Sequence, residues 1–370
     1  MGLFKRIKNN DKPLIHQILD LIHDHLVRGG IQKYQTDKYC HKYKTRDQLV
    51  ALLFGQLCRC STLEDISVGI GVCETFIKDL GLLQSPAKST MSDGNRKRDW
   101  RVFEYIFTGL LDYYRKTLHS RAPTNVIDQV DDKTVLIRDS STIGLCLSLF
   151  DWAKFRTAKG GLKIHTQWDE AIMLPELVNI TPAKVHDSKG FEQSVFAKDT
   201  IIIEDKGYWD FDVIKARQIA GNTFVTRIKD NIVYQVAAEN DLPEDDDHHI
   251  LVDEMVYLTE TKAIEAGVHT EMLRRVVVYD ANEDTTLEIL TNNLYWQVAT
   301  VTELYRRRWN IETFSKLLKQ NLNVKTFVGT SENAVKAQMV EAFPLCALMA
   351  TIKLLLNSTV CVLTKTLHSN

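Results

Sequence analysis

The chain has 370 residues, 44% of them hydrophobic and 25% charged, with a formal net charge of −2. That make-up excludes a fibrous or disordered chain and fits a globular protein with room for two or three cores. The near-neutral total hides a division: residues 1–120 hold 19 Lys and Arg against 13 Asp and Glu, whereas 235–290 hold 3 against 15, so an acidic segment masks a basic remainder.

The opening, MGLFKRIKNNDKP, has no apolar stretch of signal-peptide length, and Arg6 stands where a myristoylation site needs Ser or Thr. The most apolar tract, 343–363, is interrupted by Lys353, Asn357, Ser358 and Thr359. It reads as a core helix rather than a membrane span, so a cytoplasmic protein is expected. The seven cysteines (Cys40, Cys58, Cys60, Cys73, Cys146, Cys346 and Cys361) are odd in number and scattered, mostly in apolar runs. Buried free thiols in a reducing compartment are expected. A zinc site from Cys58, Cys60 and Cys73 would lack the usual paired spacing.

Residues 13–120 read as all-helical, with helical apolar spacing in Leu14–Val27 and Asp47–Leu57. Ser61-Thr62-Leu63-Glu64 resembles a capping box, and Gly69 and Gly71 close the helix it opens. In KSTMSDGNRKRDWRVFEYIF, Ser92 or Asp93 is placed to cap a helix whose first turns carry Arg96, Lys97, Arg98 and Arg101 beside Trp100. A basic helix start attracts phosphate, which makes these four DNA-contact candidates; the bland alternative is a solvated basic face.

From Ile127 the pattern changes. TVLIR (134–138) is a short strand with Asp139 at its end. GLKIHTQW (161–168) and LPELVNIT (174–181) read as two more strands, giving an antiparallel meander. A helix is expected over His186–Phe196. TIIIE (200–204) is an apolar run of buried-strand type, closed by Asp205. A helix through Ile214–Ile219 and a strand at Thr223–Ile228 follow. This succession is the order of an α/β ribonuclease-H-like core, in which the first and fourth strands are neighbours and Asp139 meets Asp205. Either aspartate alone could be an ordinary turn former. His165 reads as a core or sheet-face histidine, and His186-Asp187 as a helix start with Asp187 or Ser188 capping.

Residues 231–300 read as a β-rich insertion, with runs at Ile250–Val256, Arg274–Tyr279 and Leu287–Thr291 and an acidic loop over Glu239–Asp247. ELYRRRWNIETFSKLLKQNLNV (303–324) reads as one long helix without Gly or Pro. On it Tyr305, Arg308, Glu312 and Lys319 fall within about one quadrant of the surface. Ordinary pairing of Glu312 with Lys316 or Lys319 is the bland alternative. A carboxylate among cations and a phenol suits a site that holds a metal and a phosphate together. Hard divalent cations take carboxylate oxygens, and two of them about 4 Å apart serve an in-line displacement at phosphorus. Arg suits bidentate phosphate contact and Lys acts as a point charge. Arg138 stands ready either to pair with Asp139 and lower its pKa or to point away from it on the strand.

The spacing Y-x2-R-x3-E-x6-K, here Tyr305, Arg308, Glu312 and Lys319, resembles the signature of bacterial insertion-sequence transposases of the insertion-sequence-four family, DDE enzymes with a ribonuclease-H-like core. The contexts RDSST at Asp139 and EDKGYWDF at Asp205 match it too, and STMSDGNRKRDW resembles part of the helical domain that precedes the core. The resemblance implies a helical N-terminal DNA-binding domain over 1–122, a catalytic core over 123–230 and 301–370, and a β-rich insertion over 231–300. It implies that Asp139, Asp205 and Glu312 form the catalytic, metal-binding triad for two Mg2+ ions, with Mn2+ able to substitute. Tyr305, Arg308 and Lys319 would grip the element's terminal DNA. The implied enzyme cuts double-stranded DNA at its terminal inverted repeats and joins the 3′ hydroxyls to target DNA, as a homodimer in a bacterial cytoplasm, on the nucleoid when bound to DNA. A ribonuclease-H-like nuclease without strand transfer and a non-catalytic repressor derived from a mobile element are the alternatives.

Overall fold

The computed structural model describes residues 14–119, 127–145, 150–156, 159–191, 196–243, 249–281, 284–321 and 327–340. The tract 343–363, the cysteines at 146, 346 and 361, and part of the acidic loop lie outside the described residues. Two compact units divide the chain: Met1–Arg121 with Thr142–Leu162 and Ser315–Asn370, and Ala122–Ser141 with Lys163–Phe314.

The first unit is built on helices. The stretch expected as one helix from Leu14 is broken at Ile22–His23 into α1 (Leu14–Leu21) and α2 (Asp24–Tyr34). Helix α3 (Thr45–Leu57) is buried on nearly every side, from Leu49 through Gln56, as an apolar-all-round helix must be. Helix α4 (Leu63–Ile70) starts with a capping box one residue later than the sequence indicated. Thr62 Oγ1 accepts from the Asp65 N–H at 3.1 Å, and Asp65 Oδ2 accepts from the Thr62 N–H at 2.9 Å. Gly71 ends it. With α5 (Glu74–Asp79) and α6 (Lys88–Lys97) it surrounds a core of Val50, Phe54, Ile66, Ile70, Leu80 and Met91. Helix α7 (Arg101–His119) packs on α2. Of the cysteines described, Cys40, Cys58, Cys60 and Cys73 are free, but Cys58 and Cys73 are exposed rather than buried.

The second unit holds most of a mixed sheet. The strands are β1 (Val135–Leu145), β2 (Lys154–Arg156), β3 (Lys159–Asp169), β4 (Leu174–Pro182), β5 (Ile201–Glu204), β6 (Thr223–Arg227), β7 (Tyr234–Glu239), β8 (Ile250–Leu258), β9 (Leu273–Asp280) and β10 (Thr285–Thr291); β2 and the adjoining parts of β1 and β3 fall within the bounds of the first unit. They run in the order β2-β3-β1-β5-β6-β10-β9-β8-β7, with β4 paired to β3. Strand β5 is parallel to both β1 and β6, and all four of its residues are buried, which is why its sequence is a plain apolar run closed by an acid. The strands of 231–300 do not stand apart: β10 is hydrogen-bonded to β6 and continues the same sheet. Helix α8 (Phe211–Ile219), capped by Asp210, fills the crossover from β5 to β6, and α9 (Thr261–Glu265) links β8 to β9.

Three local expectations change. Strand β1 continues through Asp139 to Leu145, so Asp139 lies inside a strand rather than at its end. The helix expected from His186 is only a 3-10 turn, Asp187–Phe191, in its described part. The single helix expected from Glu303 is two, α10 (Val298–Arg306) and α11 (Trp309–Asn321). Between them the N–H of Arg308 bonds to Tyr305 O and that of Asn310 to Arg307 O, tighter i-to-i−3 bonds that turn the chain without Gly or Pro.

Candidate active site

Parity along two neighbouring strands creates the site. Residues Val135 to Arg138 of β1 pair with Ile201 to Glu204 of β5, and Arg138 opposite Glu204 is the last pair. The next residue on each chain is an aspartate, Asp139 and Asp205. Side chains alternate across a sheet, so Arg138 and Glu204 share one face and Asp139 leaves by the other. Arg138 therefore points away from Asp139. Its Nη1 lies 3.4 Å from Glu204 Oε1, its Nε donates to Gln167 Oε1 at 2.9 Å, and its guanidinium sits 4.3 and 4.4 Å from the ring centres of Phe191 and Phe196. Arg217 from α8 reaches the same Glu204 oxygen at 2.6 Å. Burial pushes the Arg138 pKa down to about 10.

On the opposite face burial pushes the Asp139 carboxyl up to about 6. Arg308 pulls it down, while Glu312 and Asp205 push it further up. Asp139 thus feels both other carboxylates, although Glu312 lies more than 170 residues further along the chain. Tyr305, which is 4% exposed, extends its hydroxyl toward Asp205 Oδ1 at a long 3.4 Å. Burial raises the Tyr305 phenol to about 12, opposed by Arg308 and assisted by Asp205. Arg308 Nη1 pairs with Glu312 Oε1 at 2.6 Å, and Arg308 Nε is buried without a hydrogen-bond partner. Glu312 thus pairs one turn back with Arg308.

The structure brings Asp139, Asp205, Tyr305, Arg308 and Glu312 into one neighbourhood. Lys319 stands two turns beyond Glu312 on α11, with a half-buried side chain. Among the described residues no group of three or more His, Cys, Asp or Glu is placed to hold a metal ion as it stands. The donor chemistry fits a hard divalent cation: a buried Asp139 carboxyl raised by its carboxylate neighbours gains from one, and all three side chains offer oxygen ligands. The Arg308 guanidinium supplies the compensating charge here.

The basic segment is differently placed from its expectation. Helix α6 begins at Lys88, so Arg96 and Lys97 lie in its last turn and Arg98 at its end, not at a helix start. Arg98 is 6% exposed. It donates to Tyr43 O at 2.6 Å and to Gln48 Oε1, and lies 5.5 Å from the Tyr43 ring centre. That guanidinium is committed to the helical core and is withdrawn as a DNA contact. Arg96 and Lys97 pair with Asp93, and Arg101 with Asp99, all on the surface.

Sequence reasoning passed over several groups. Arg227, at the end of β6, acts on the Tyr305 phenol and lowers its pKa; a lone Arg closing a strand carried no signal. His165 is fully buried, with Nε2 2.8 Å from Thr181 Oγ1, a core histidine. His186 is exposed and bonds to Ser188. Asp187 does not cap a helix: burial raises its carboxyl, but hydrogen bonds from Lys163 and Ser140 outweigh this and hold it below the ordinary range.

Residues 131–349 match the family model described as a transposase DDE domain. The chain belongs to the transposase DDE domain family. Residues 10–82 match a second model, described as a domain of unknown function (DUF4372). A protein of Sinorhizobium fredii named as transposase y4zB is 29% identical over 270 residues, covering 72% of this chain and 71% of that protein. A Geobacillus stearothermophilus protein named as a transposase for insertion sequence element IS5377 is 29% identical over 212 residues, 57% of this chain and 54% of its own length. The solved piggyBac transposase synaptic complex with hairpin DNA aligns over 97% of this chain and 82% of that chain, at 11% identity and a TM-score of 0.41. Membership of that family marks this chain as carrying a transposase DDE domain, a kind of domain that in general acts on DNA with divalent metal ions. Among the described residues no helix is long and apolar enough to cross a membrane.

Proposed function

We propose that this transposase cuts DNA at the ends of its own insertion sequence and joins the freed 3′ hydroxyls to target DNA, with Asp139, Asp205 and Glu312 as its catalytic carboxylates. The observation that carries this is the placing of Asp139 and Asp205 directly after the last parallel pair of β1 and β5, with Tyr305 reaching Asp205 and Arg308 pairing with Glu312 beside them. The run β4-β3-β1-β5-β6, with β1, β5 and β6 parallel, supports a ribonuclease-H-like core. The Tyr305, Arg308, Glu312 and Lys319 spacing supports membership of the insertion-sequence-four group. The proposed organisation is a helical DNA-binding domain over 1–122, a core over 123–230 and 301–370, and an insertion over 231–300, acting as a homodimer on two DNA ends.

Two Mg2+ ions, or Mn2+ in their place, would be held by the three carboxylates and would supply a polarised nucleophile and a stabilised leaving oxygen. The chain's own groups do the rest. Arg308 neutralises Glu312 while the site is empty of DNA. A DNA phosphate offers that guanidinium a bidentate partner and so frees Glu312 for a cation. Tyr305, held out of water, steadies Asp205. Lys319 adds a point charge toward the phosphate chain, and Arg96, Lys97 and Arg101 are proposed as outer contacts.

The test is an assay with labelled inverted-repeat ends, a target plasmid and Mg2+. Joined product is expected from the parent chain. Glu312→Gln is expected to abolish both cutting and joining while end binding persists. Joined product from Glu312→Gln, or undiminished cutting in a chelator, would refute the assignment. Cutting without joining under every divalent ion would leave a nuclease instead.

A further inference from the structure

The carboxylate of Asp187, at the start of the 3-10 turn that follows β4, is held between the two stretches of chain that carry Asp139 and Asp205. Its Oδ1 accepts from Ser140 Oγ at 2.6 Å, and Ser140 is the residue after Asp139. The same Oδ1 lies 2.8 Å from Lys163 Nζ of β3, which also donates to Val185 O at 2.8 Å. One ammonium thus ties β3 to the backbone just ahead of Asp187. The other oxygen faces the loop after β5: a Cβ built on Gly207, two residues past Asp205, would lie 3.1 Å from Asp187 Oδ2. Any side chain at 207 would press on the carboxylate. Asp187 is therefore bonded to the Asp139 segment and closely faces the Asp205 segment, at the point where β1 and β5 cease to pair and backbone hydrogen bonds no longer fix their separation.

We propose that Asp187 is a positioning residue that sets the separation of Asp139 and Asp205 by bracing Ser140 on one side and the Gly207 loop on the other. This rests on those two aspartates being the catalytic pair. Asp187 is not proposed to touch DNA or metal. A carboxylate that orients the groups doing the chemistry is worth about ten- to a hundredfold in activity or metal affinity elsewhere.

The experiment has one arm independent of activity. Hydrogen exchange is followed in peptides covering 138–141 and 205–208 for the parent, Asp187→Ala, Asp187→Asn, Ser140→Ala and Gly207→Ala. Asp187→Ala is expected to speed exchange in both peptides, and Asp187→Asn, which keeps an acceptor for Ser140, to do so less. Gly207→Ala is expected to disturb 138–141 as well as its own loop. In end cleavage Asp187→Ala is expected to lower kcat about tenfold or more with the KM for DNA unchanged. Faster exchange in one peptide alone, or a loss confined to KM, overturns the proposal. If Asp187→Ala does not fold, Gly207→Ala decides: a disturbance that stays within 205–208 overturns it. Should the parent process no DNA while the two peptides still respond together, the transposition reading fails and the bracing role stands.

Discussion

Glu204→Gln is the sharpest perturbation of the sheet that bears the site. Glu204 has a side chain only 2% exposed, and one of its oxygens serves two guanidiniums, Arg217 at 2.6 Å and Arg138 at 3.4 Å. Those arginine side chains are themselves only 6% and 7% exposed. Removing the carboxylate charge takes away the counterion these two neighbouring cations share, and Arg217 already lowers the Arg138 pKa. Breaking a buried pair by deleting one partner costs about 3–5 kcal/mol. Against a net stability of about 5–15 kcal/mol, that is a large fraction. Urea unfolding followed by tryptophan fluorescence is suited to measure it, since Trp168 and Trp209 are both buried in this unit. The midpoint of Glu204→Gln is expected to fall sharply. Glu204→Met with Arg217→Met removes one charge of each sign and leaves Arg138 between Phe191 and Phe196, so the double variant is expected to lose less than Glu204→Gln alone. A Glu204→Gln midpoint within about 0.5 kcal/mol of the parent, the range of a surface change, would refute the reasoning. So would a double variant as damaged as the two single changes summed.

Two further perturbations test the packing around the site. His165 is buried with its pKa pushed down from 6.5 to about 4, chiefly by burial. Its folded value is depressed, so its contribution is complete above pH 6.5 and is lost as pH falls toward 4, where the unfolded chain takes up a proton the native one refuses. The loss reaches about 3 kcal/mol, and a His165→Asn chain whose urea midpoint drops as steeply between pH 7 and 5 would contradict it. Gly190→Ala is expected to destabilise by about 1–3 kcal/mol, because a Cβ there would lie 2.1 Å from His165 Nδ1; an unchanged melting temperature would show that the turn yields freely.

What the sequence disclosed depended on whether the deciding partner was near in the chain. The run at 201–204 was legible as a buried strand because parallel neighbours on both sides demand apolar residues on both faces. The capping box near Thr62 was legible to within one residue, since all its parts lie within four positions. Helix α6 was misplaced because Ala87 opens it with no capping side chain, while Ser92 and Asp93, the residues that look like caps, sit inside it. Arg98 looked like a phosphate contact because its partners Tyr43 and Gln48 are about fifty residues away. The break between α10 and α11 left no mark of Gly or Pro.

The candidate site shows the same limit in its chemistry. Sequence supplied Asp139, Asp205 and Glu312 as separate acids, and the influence of the other two on Asp139 emerges only when β1, β5 and α11 converge. From sequence, Arg138 was open to pairing with Asp139 or to pointing away from it, and Glu204 had no evident reason to precede Asp205. The register supplies one: the last parallel pair carries opposite charges on one face, held by Arg217 behind it, and the next residue on each chain is a carboxylate. An apolar pair at 138 and 204 would fill that side of the sheet equally well, but it would not be held by hydrogen bonds of fixed direction. A buried ion pair in that place trades some stability for a defined relation between the two strands, and Asp139 and Asp205 inherit that relation one residue later.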